Sequence, residues 1–168
     1  QSEPDVHTQI HLLRFLDRGQ DVSRPAPRDP EYRRLLVSAT RFYAKDSPVV
    51  ALKFRAMCIH LADLLTQAFP TASNLFIYRH AESWARSMNL KFMPPEFRRE
   101  PVAEFPVHRR AMAYLSLPFR ERYGREANMV ELNALSWLSL IDSYLHHYAA
   151  DVPFLALRYE DIVAHPIP

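Results

Sequence analysis

Arg79 and Ser87 are the residues whose types and spacing most clearly indicate a binding site. Arg79 follows the apolar run Leu-Phe-Ile-Tyr at 75–78, and Ser87 comes eight positions later in a segment with helical character. Arginine at a strand end presents a permanently charged fork, and a serine hydroxyl on the next helix adds a short polar group nearby. Because ligands of parallel sheets bind beyond the carboxyl ends of the strands, this pair predicts a phosphate site.

A second cation, Lys53, stands near the end of another apolar run, residues 48–55. A helical pattern then leads to the strand that precedes Arg79. This order predicts a strand, helix, strand unit with parallel pairing, in which Lys53 and Arg79 face the same edge of the sheet. Two converging cations imply an anionic ligand.

With these residues in place, the chain resembles the sulfotransferases that use 3'-phosphoadenosine-5'-phosphosulfate (PAPS). The spacing of Arg79 and Ser87 is similar to the family motif that contacts the 3'-phosphate of the cofactor. Residues 52–70 resemble the family's lysine-bearing strand, its helix and its Phe-Pro turn, and residues 153–166 resemble its late strand and Tyr-Glu-Asp helix start. Residues 2–5, Ser-Glu-Pro-Asp, are similar to the turn after the second strand in bacterial-type and tyrosylprotein-type members.

The resemblance implies transfer of a sulfuryl group from PAPS to a hydroxyl or amine acceptor, without a metal. Arg79 and Ser87 would bind the 3'-phosphate, and Lys53 would stabilise the negative charge that develops on the leaving phosphate. The resemblance also implies that Glu3 is the general base, since tyrosylprotein-type and heparan-type members use a glutamate in that kind of position. Many cytosolic members instead have a histidine where this chain has Arg55, which cannot accept a proton at neutral pH. Glu3 would equally suit a helix N-terminus, where a carboxylate complements the helix dipole.

The family's glycine-containing loop, which cradles the 5'-phosphosulfate, has no counterpart in this sequence. Such a loop needs residues that let backbone N–H groups approach the ligand closely, and the chain has only Gly19 and Gly124, neither of them in that setting. The resemblance therefore implies a central fragment of a longer enzyme, and an isolated piece without activity.

Two other interpretations remain open. A P-loop kinase of the nucleoside or adenylyl-sulfate type would share the parallel sheet, but it would require an upstream Gly-x-x-x-x-Gly-Lys-Ser/Thr loop and a carboxylate for magnesium. A nonenzymatic binding module would have kept the sheet and lost the loop.

The histidines are interpreted as structural residues. His60 lies among leucines on a predicted helix, which indicates packing more than catalysis. His7 and His11 stand four positions apart, as zinc ligands do, but the absence of an evident third ligand favours a solvated pair. His146 and His147 lie near a helix end, where they would complement the helix dipole.

Composition limits the range of folds and partners. The 168 residues, of which 48% are hydrophobic, suit one domain over residues 1–168. A net charge of +2 gives no indication of nucleic-acid binding, and no apolar run approaches the roughly 20 residues of a membrane span. The single cysteine, Cys58, excludes an internal disulfide and is expected to be buried and inert.

Periodicity predicts the elements that position these residues. A first helix is predicted over 4–18, because Val6, Ile10, Leu13 and Leu16 or Asp17 stand near helical spacing and would form its apolar face. A second helix starting at Asp29 would have one apolar face made of Leu35, Leu36, Ala39, Phe42 and Tyr43. A Pro-rich and Arg-rich excursion at 93–118, a long helix at 128–148 and a strand at 154–157 follow. The order predicts an α/β fold, helix-rich and P-loop-NTPase-like, with a three-layer parallel sheet flanked by helices.

Overall fold

The computed structural model describes residues 6–19, 24–44, 47, 49–91 and 117–165. Its helices are α1 (Val6–Asp17), α2 (Asp29–Ala44), a 3-10 helix (Ala56–Leu61), α3 (Ala62–Ala68), α4 (Ala81–Lys91), α5 (Leu117–Tyr123), α6 (Met129–Ala149) and α7 (Tyr159–Ala164). Its strands, β1 (Leu75–Tyr78) and β2 (Leu155–Arg158), form a two-stranded parallel sheet. The expected helix-rich α/β character is confirmed at this level.

The chain divides into two compact units. The first contains residues 1–76 and 143–155, and the second contains residues 77–142 and 156–168. The expectation of a single domain stays a prediction.

The first unit has an apolar core between α1, α2, the 3-10 helix and α3. Its buried members are Ile10, Ala26, Tyr32, Leu36, Leu61 and Leu64, with Leu65 packed against them. Tyr32 and Leu36 stand four positions apart on α2, and Leu64 and Leu65 follow Leu61 by three and four positions, so one face of these helical segments is turned to the core.

The predicted apolar face of α1 is wrong. Ile10 is buried, but Leu13 and Leu16 are exposed, Leu16 by 64%. The buried face instead carries His7, His11, Arg14 and Phe15 beside Ile10. Polar side chains occupy this face because ion pairs and ring contacts inside the first unit compensate for their burial, as described below.

The predicted apolar face of α2 is correct at Leu36, which is fully buried, and in part at Ala39, which is partly buried. Tyr32, four positions earlier, shares that face, and its hydroxyl donates to Asp17 Oδ2 at 2.7 Å. Phe42 is 75% exposed, and Leu35 is exposed as well. The buried face therefore runs through Tyr32 and Leu36, two residues one helical turn apart.

A strand was also expected over residues 48–55, and the structure assigns residues 49–55 to neither strand nor helix. Leu52 and Phe54 are partly buried, whereas Ala51, Lys53 and Arg55 are exposed. This alternation is typical of an extended chain, but β1 pairs with β2 instead. The predicted pairing between the Lys53 segment and the Arg79 strand is therefore absent from the described residues.

Asn74 fixes the start of the sheet. Its backbone oxygen accepts a hydrogen bond from Leu155 N at 2.9 Å, and its side-chain Nδ2 donates to Pro153 O at 3.2 Å. Nδ2 also donates to Thr66 Oγ1 on α3 at 3.0 Å. One residue thus ties α3 to the beginning of both strands.

In the second unit, a reciprocal cap starts α6. Asn128 N donates to Glu131 Oε2 at 2.9 Å, and Glu131 N donates to Asn128 Oδ1 at 3.0 Å. This is the arrangement of a capping box, with asparagine as the capping residue. Arg125 holds the same carboxylate with two further hydrogen bonds, which lowers the pKa of Glu131.

Several predicted boundaries are confirmed. The long helix and the late strand each lie one residue later than predicted, and α2 begins at Asp29. Gly19 follows α1 with a φ of 65°, a conformation that favours glycine at a helix end. Cys58 is buried as expected. Most of the irregular excursion predicted at 93–118 lies outside the described residues, and its last two residues begin the helix α5.

Candidate functional site

Arg79 lies directly after β1 and two residues before the start of α4, as predicted. Its guanidinium carbon sits over the ring of Tyr159, 5.0 Å from the ring centroid. Its Nε lies 3.7 Å from Glu160 Oε1. The first two residues of α7 therefore supply both an aromatic support and a counter-charge to the Arg79 fork.

The backbone around Arg79 is held on two sides within the second unit. Trp137 Nε1 donates to Arg79 O at 3.1 Å, and His80 N donates to Glu160 Oε1 at 3.2 Å. These contacts connect the turn between β1 and α4 to α6 and to α7. The position of the guanidinium is thus set by its neighbours before any ligand is present.

Arg79 retains hydrogen-bonding capacity that the described residues do not use. Among the described residues, its Nε is buried without a hydrogen-bond partner, since Glu160 Oε1 is 3.7 Å away, and Glu160 Oε2 is also buried without one. Within the described residues, the terminal nitrogens of Arg79 also donate no hydrogen bond. The side chain is 37% exposed, so solvent and small solutes reach it. An oxyanion with several acceptor oxygens would satisfy this fork.

Arg158, at the end of β2, shows the contrasting case of an arginine whose donors are occupied. Its Nε donates to Asp161 Oδ2 at 3.1 Å, and its Nη2 donates to Asp161 Oδ1. This pairing raises the pKa of Arg158 and lowers that of Asp161. Of the arginines at the two strand ends, Arg79 is the one suited to an external anion.

Ser87 lies on α4, two turns beyond Arg79 along the helix, and belongs to the same compact unit. Its side chain is partly buried, and among the described residues its hydroxyl has no hydrogen-bond partner. The helix predicted to carry Ser87 is confirmed. A shared contact of Ser87 and Arg79 with one ligand stays a prediction.

Of the two predicted catalytic residues, Lys53 and Glu3, the structure describes only Lys53. Lys53 is exposed in the segment 49–55 and belongs to the first unit, whereas Arg79 belongs to the second. The convergence of these two cations on one ligand stays a prediction. Glu3 lies outside the described residues.

Sequence reasoning missed a buried polar cluster in the first unit. Arg14 is 1% exposed, and its guanidinium donates to Asp29 Oδ1 at 2.6 Å and to Asp63 Oδ1 at 2.6 Å. It also donates to the backbone oxygen of His60 at 2.8 Å. Arg18 Nη2 lies 3.4 Å from Asp63 Oδ2. Burial alone would raise the pKa of Asp63, but hydrogen bonds from Arg14 outweigh it, and the pKa is lowered.

Histidines form the other half of this cluster. The prediction of a solvated His7 and His11 pair is wrong, because both side chains are buried. His60 is buried as predicted, and its Nδ1 lies 2.9 Å from Ser143 Oγ. His147 is also buried, and desolvation lowers its pKa, which favours the neutral ring. It therefore does not match the expected role of a cation that complements the helix dipole.

A signal for this cluster is present in the sequence. His7, His11, Arg14 and Arg18 succeed one another at intervals of four, three and four residues, which places them on one face of a helix. Since α1 also carries more conventional apolar residues on another face, hydropathy favours the wrong orientation.

Comparison with known proteins gives no relative: no family model, no curated protein and no solved structure matches the chain. The residues that the structure describes contain no group of three or more side chains arranged to hold a metal ion. None of the helices described is long and apolar enough to cross a membrane.

Proposed function

We propose that this chain carries the 3'-phosphate-binding half of a PAPS-dependent sulfotransferase, which transfers a sulfuryl group to a hydroxyl or amine acceptor. The proposal is supported by the position of the Arg79 side chain and by its hydrogen-bond donors, which are unpaired within the described part of the chain. Its guanidinium stands at the carboxyl end of a parallel strand, rests on the Tyr159 ring, and has terminal donors without a partner among the described residues. A phosphate monoester offers the oxygens that this fork lacks.

The neighbouring Glu160 carboxylate limits which anions would bind. At 3.7 Å it partly offsets the charge of Arg79, so a simple monovalent anion would gain little there. A nucleotide 3'-phosphate carries more charge and can accept bonds from both terminal nitrogens of Arg79. Ser87 would donate a further hydrogen bond to the same phosphate.

The remaining roles in this proposal rest on the sequence. Lys53 would neutralise the bridging oxygen as the phosphate leaves, and Glu3 would take the proton of the acceptor. We further propose that β1 and β2 belong to a larger three-layer parallel sheet of the P-loop type.

The test is calorimetric titration of the full-length protein with 3'-phosphoadenosine-5'-phosphate and, separately, with adenosine 5'-phosphate, which lacks the 3'-phosphate. We expect Arg79→Ala to weaken binding of the first nucleotide by about 10- to 100-fold, as loss of one or two charge-assisted hydrogen bonds implies. Binding of the second nucleotide should change little.

Arg122→Ala is the matched control, because Arg122 also lies against a tyrosine ring, that of Tyr123, at 5.6 Å. This variant should bind both nucleotides as the unaltered protein does. Equal losses for both nucleotides in Arg79→Ala, or no binding of either by the unaltered full-length protein, would reject the proposal.

A further inference from the structure

The rings of His11 and His60 stack on each other inside the first unit. Their centroids are 5.0 Å apart and their planes differ by 20°. His11 comes from α1 and His60 from the 3-10 helix, and the two residues are 2% and 4% exposed. The stack is therefore a direct, water-excluded contact between these two helices.

Among the described residues, two arginines and two carboxylates form the ion pairs of this cluster. Arg14 and Arg18 of α1 contribute two positive charges, and Asp29 of α2 and Asp63 of α3 contribute two negative charges. Both carboxylates are engaged by Arg14, and Asp63 lies near Arg18 as well. A proton added to an imidazole here would create net positive charge in a region of low dielectric constant.

His11 is especially ill suited to a proton. Both of its ring nitrogens are buried, and neither has a hydrogen-bond partner among the residues that the structure describes. A neutral ring leaves one donor unsatisfied, whereas a charged ring would leave two, next to two arginines. Burial, followed by the charges of Arg18 and Arg14, lowers the pKa of His11 to about 4.

His60 faces a similar environment from other elements. Its Nδ1 contacts Ser143 Oγ on α6, and His147 of the same helix stands near enough to oppose a second positive charge. Burial, then His11 and His147, then the two arginines, lower the pKa of His60 to about 3. His146, which precedes His147 on α6, is exposed to solvent.

We propose that the His11–His60 stack is an acid-sensitive latch, which holds α1 against the 3-10 helix while both rings are neutral and releases α1 when either ring takes a proton from solvent. The direction follows from linkage. An unfolded or detached histidine binds a proton near pH 6.5, whereas these two bind only near pH 4 and pH 3 when folded. Their contribution to stability is complete above pH 6.5 and is lost as the pH falls below it.

The test compares the unaltered protein with His11→Phe between pH 7 and pH 4.5. Phenylalanine keeps a ring against His60 and cannot be protonated. It removes no side-chain hydrogen bond to the described part of the chain, since the His11 ring makes none there. Urea unfolding at each pH gives the unfolding equilibrium constant. For each unit by which the pH is lowered below 6.5, this constant should rise about tenfold more in the unaltered protein than in His11→Phe, because the variant takes up one proton fewer on unfolding. His146→Phe, the same substitution at an exposed position of the first unit, should keep the full pH dependence.

Hydrogen exchange identifies the part that moves. After correction for intrinsic exchange rates, the amides of α1 should lose protection as the unaltered protein is acidified to pH 4.5, before those of α4 do. Should the larger phenylalanine prevent folding, His11→Leu provides a smaller residue that also cannot be protonated. Unchanged pH dependence in whichever variant folds, or loss of protection in α1 no earlier than in α4, would overturn the proposal.

Discussion

Arg14 and Asp63 form a bidentate ion pair inside the first unit, with Nη1 donating to Oδ1 at 2.6 Å and Nη2 donating to Oδ2 at 2.5 Å. The same guanidinium holds both oxygens of Asp29. One arginine on α1 therefore joins α2 to α3, and it does so with 1% of its surface exposed. Removing one partner of a buried pair is costly because the remaining charge loses its compensation.

We expect Arg14→Leu to lower the free energy of unfolding by about 3–5 kcal/mol, since it leaves two carboxylates without their main partner. Urea denaturation measures this loss. Arg41→Leu is the control, because Arg41 is exposed on α2 and has no ion pair among the described residues. That variant should unfold at nearly the same urea concentration as the unaltered protein. Similar losses in both variants would mean that the buried network adds little to stability.

Ser87→Ala should weaken binding of 3'-phosphoadenosine-5'-phosphate by roughly 3- to 10-fold, the range expected for one net hydrogen bond. Affinity for adenosine 5'-phosphate should stay the same, since that nucleotide offers no 3'-phosphate to the hydroxyl. Ser83→Ala, one turn earlier on α4 and also partly buried, serves as the matched control. Calorimetry on the full-length protein gives both affinities. A loss in Ser83→Ala equal to that in Ser87→Ala would assign the effect to the helix and not to the phosphate contact.

The identity of the general base is tested by Glu3→Gln in the full-length enzyme. Glutamine keeps the shape and polarity of the side chain but cannot accept the proton, so the turnover number should fall by roughly 10²- to 10⁴-fold with little change in nucleotide affinity. His60→Gln should instead reduce stability more than rate, because His60 is buried between His11 and Ser143. The turnover rate measured as a function of pH, together with the melting temperature of each variant, separates the two effects. A near-normal rate for Glu3→Gln, with a collapsed rate and unchanged melting for His60→Gln, would exchange the two assignments.

The sequence predicted most elements of the fold because their signals are local. Asp29-Pro30 marks the start of α2, and Gly19 follows the end of α1, each through a conformational preference of the residue itself. The placement of Arg79 between a strand and a helix was predicted for the same reason.

The burial of Arg14 and the absence of a strand at 49–55 could not be predicted, because both depend on residues far away in the sequence. Hydropathy assigns Arg14 to the surface, whereas its burial is made favourable by Asp29, the backbone oxygen of His60 and Asp63, which are 15, 46 and 49 residues away. Likewise, residues 49–55 have the alternating exposure of a strand, but whether an extended segment becomes a strand depends on a neighbour with free backbone groups. Propensity carries no information about that neighbour.

The contact between Asn74 and Pro153 also has a consequence for biosynthesis. The two residues are 79 positions apart, and the backbone bond that starts the sheet lies beside them. At a translation rate of roughly 5–20 residues per second, β1 leaves the ribosome several seconds before its partner β2. During that interval the apolar side chains of Leu75 and Ile77, exposed even in the folded chain, belong to a strand whose β2 partner does not yet exist. The nascent chain is therefore open to wrong association at β1 until β2 has been synthesised.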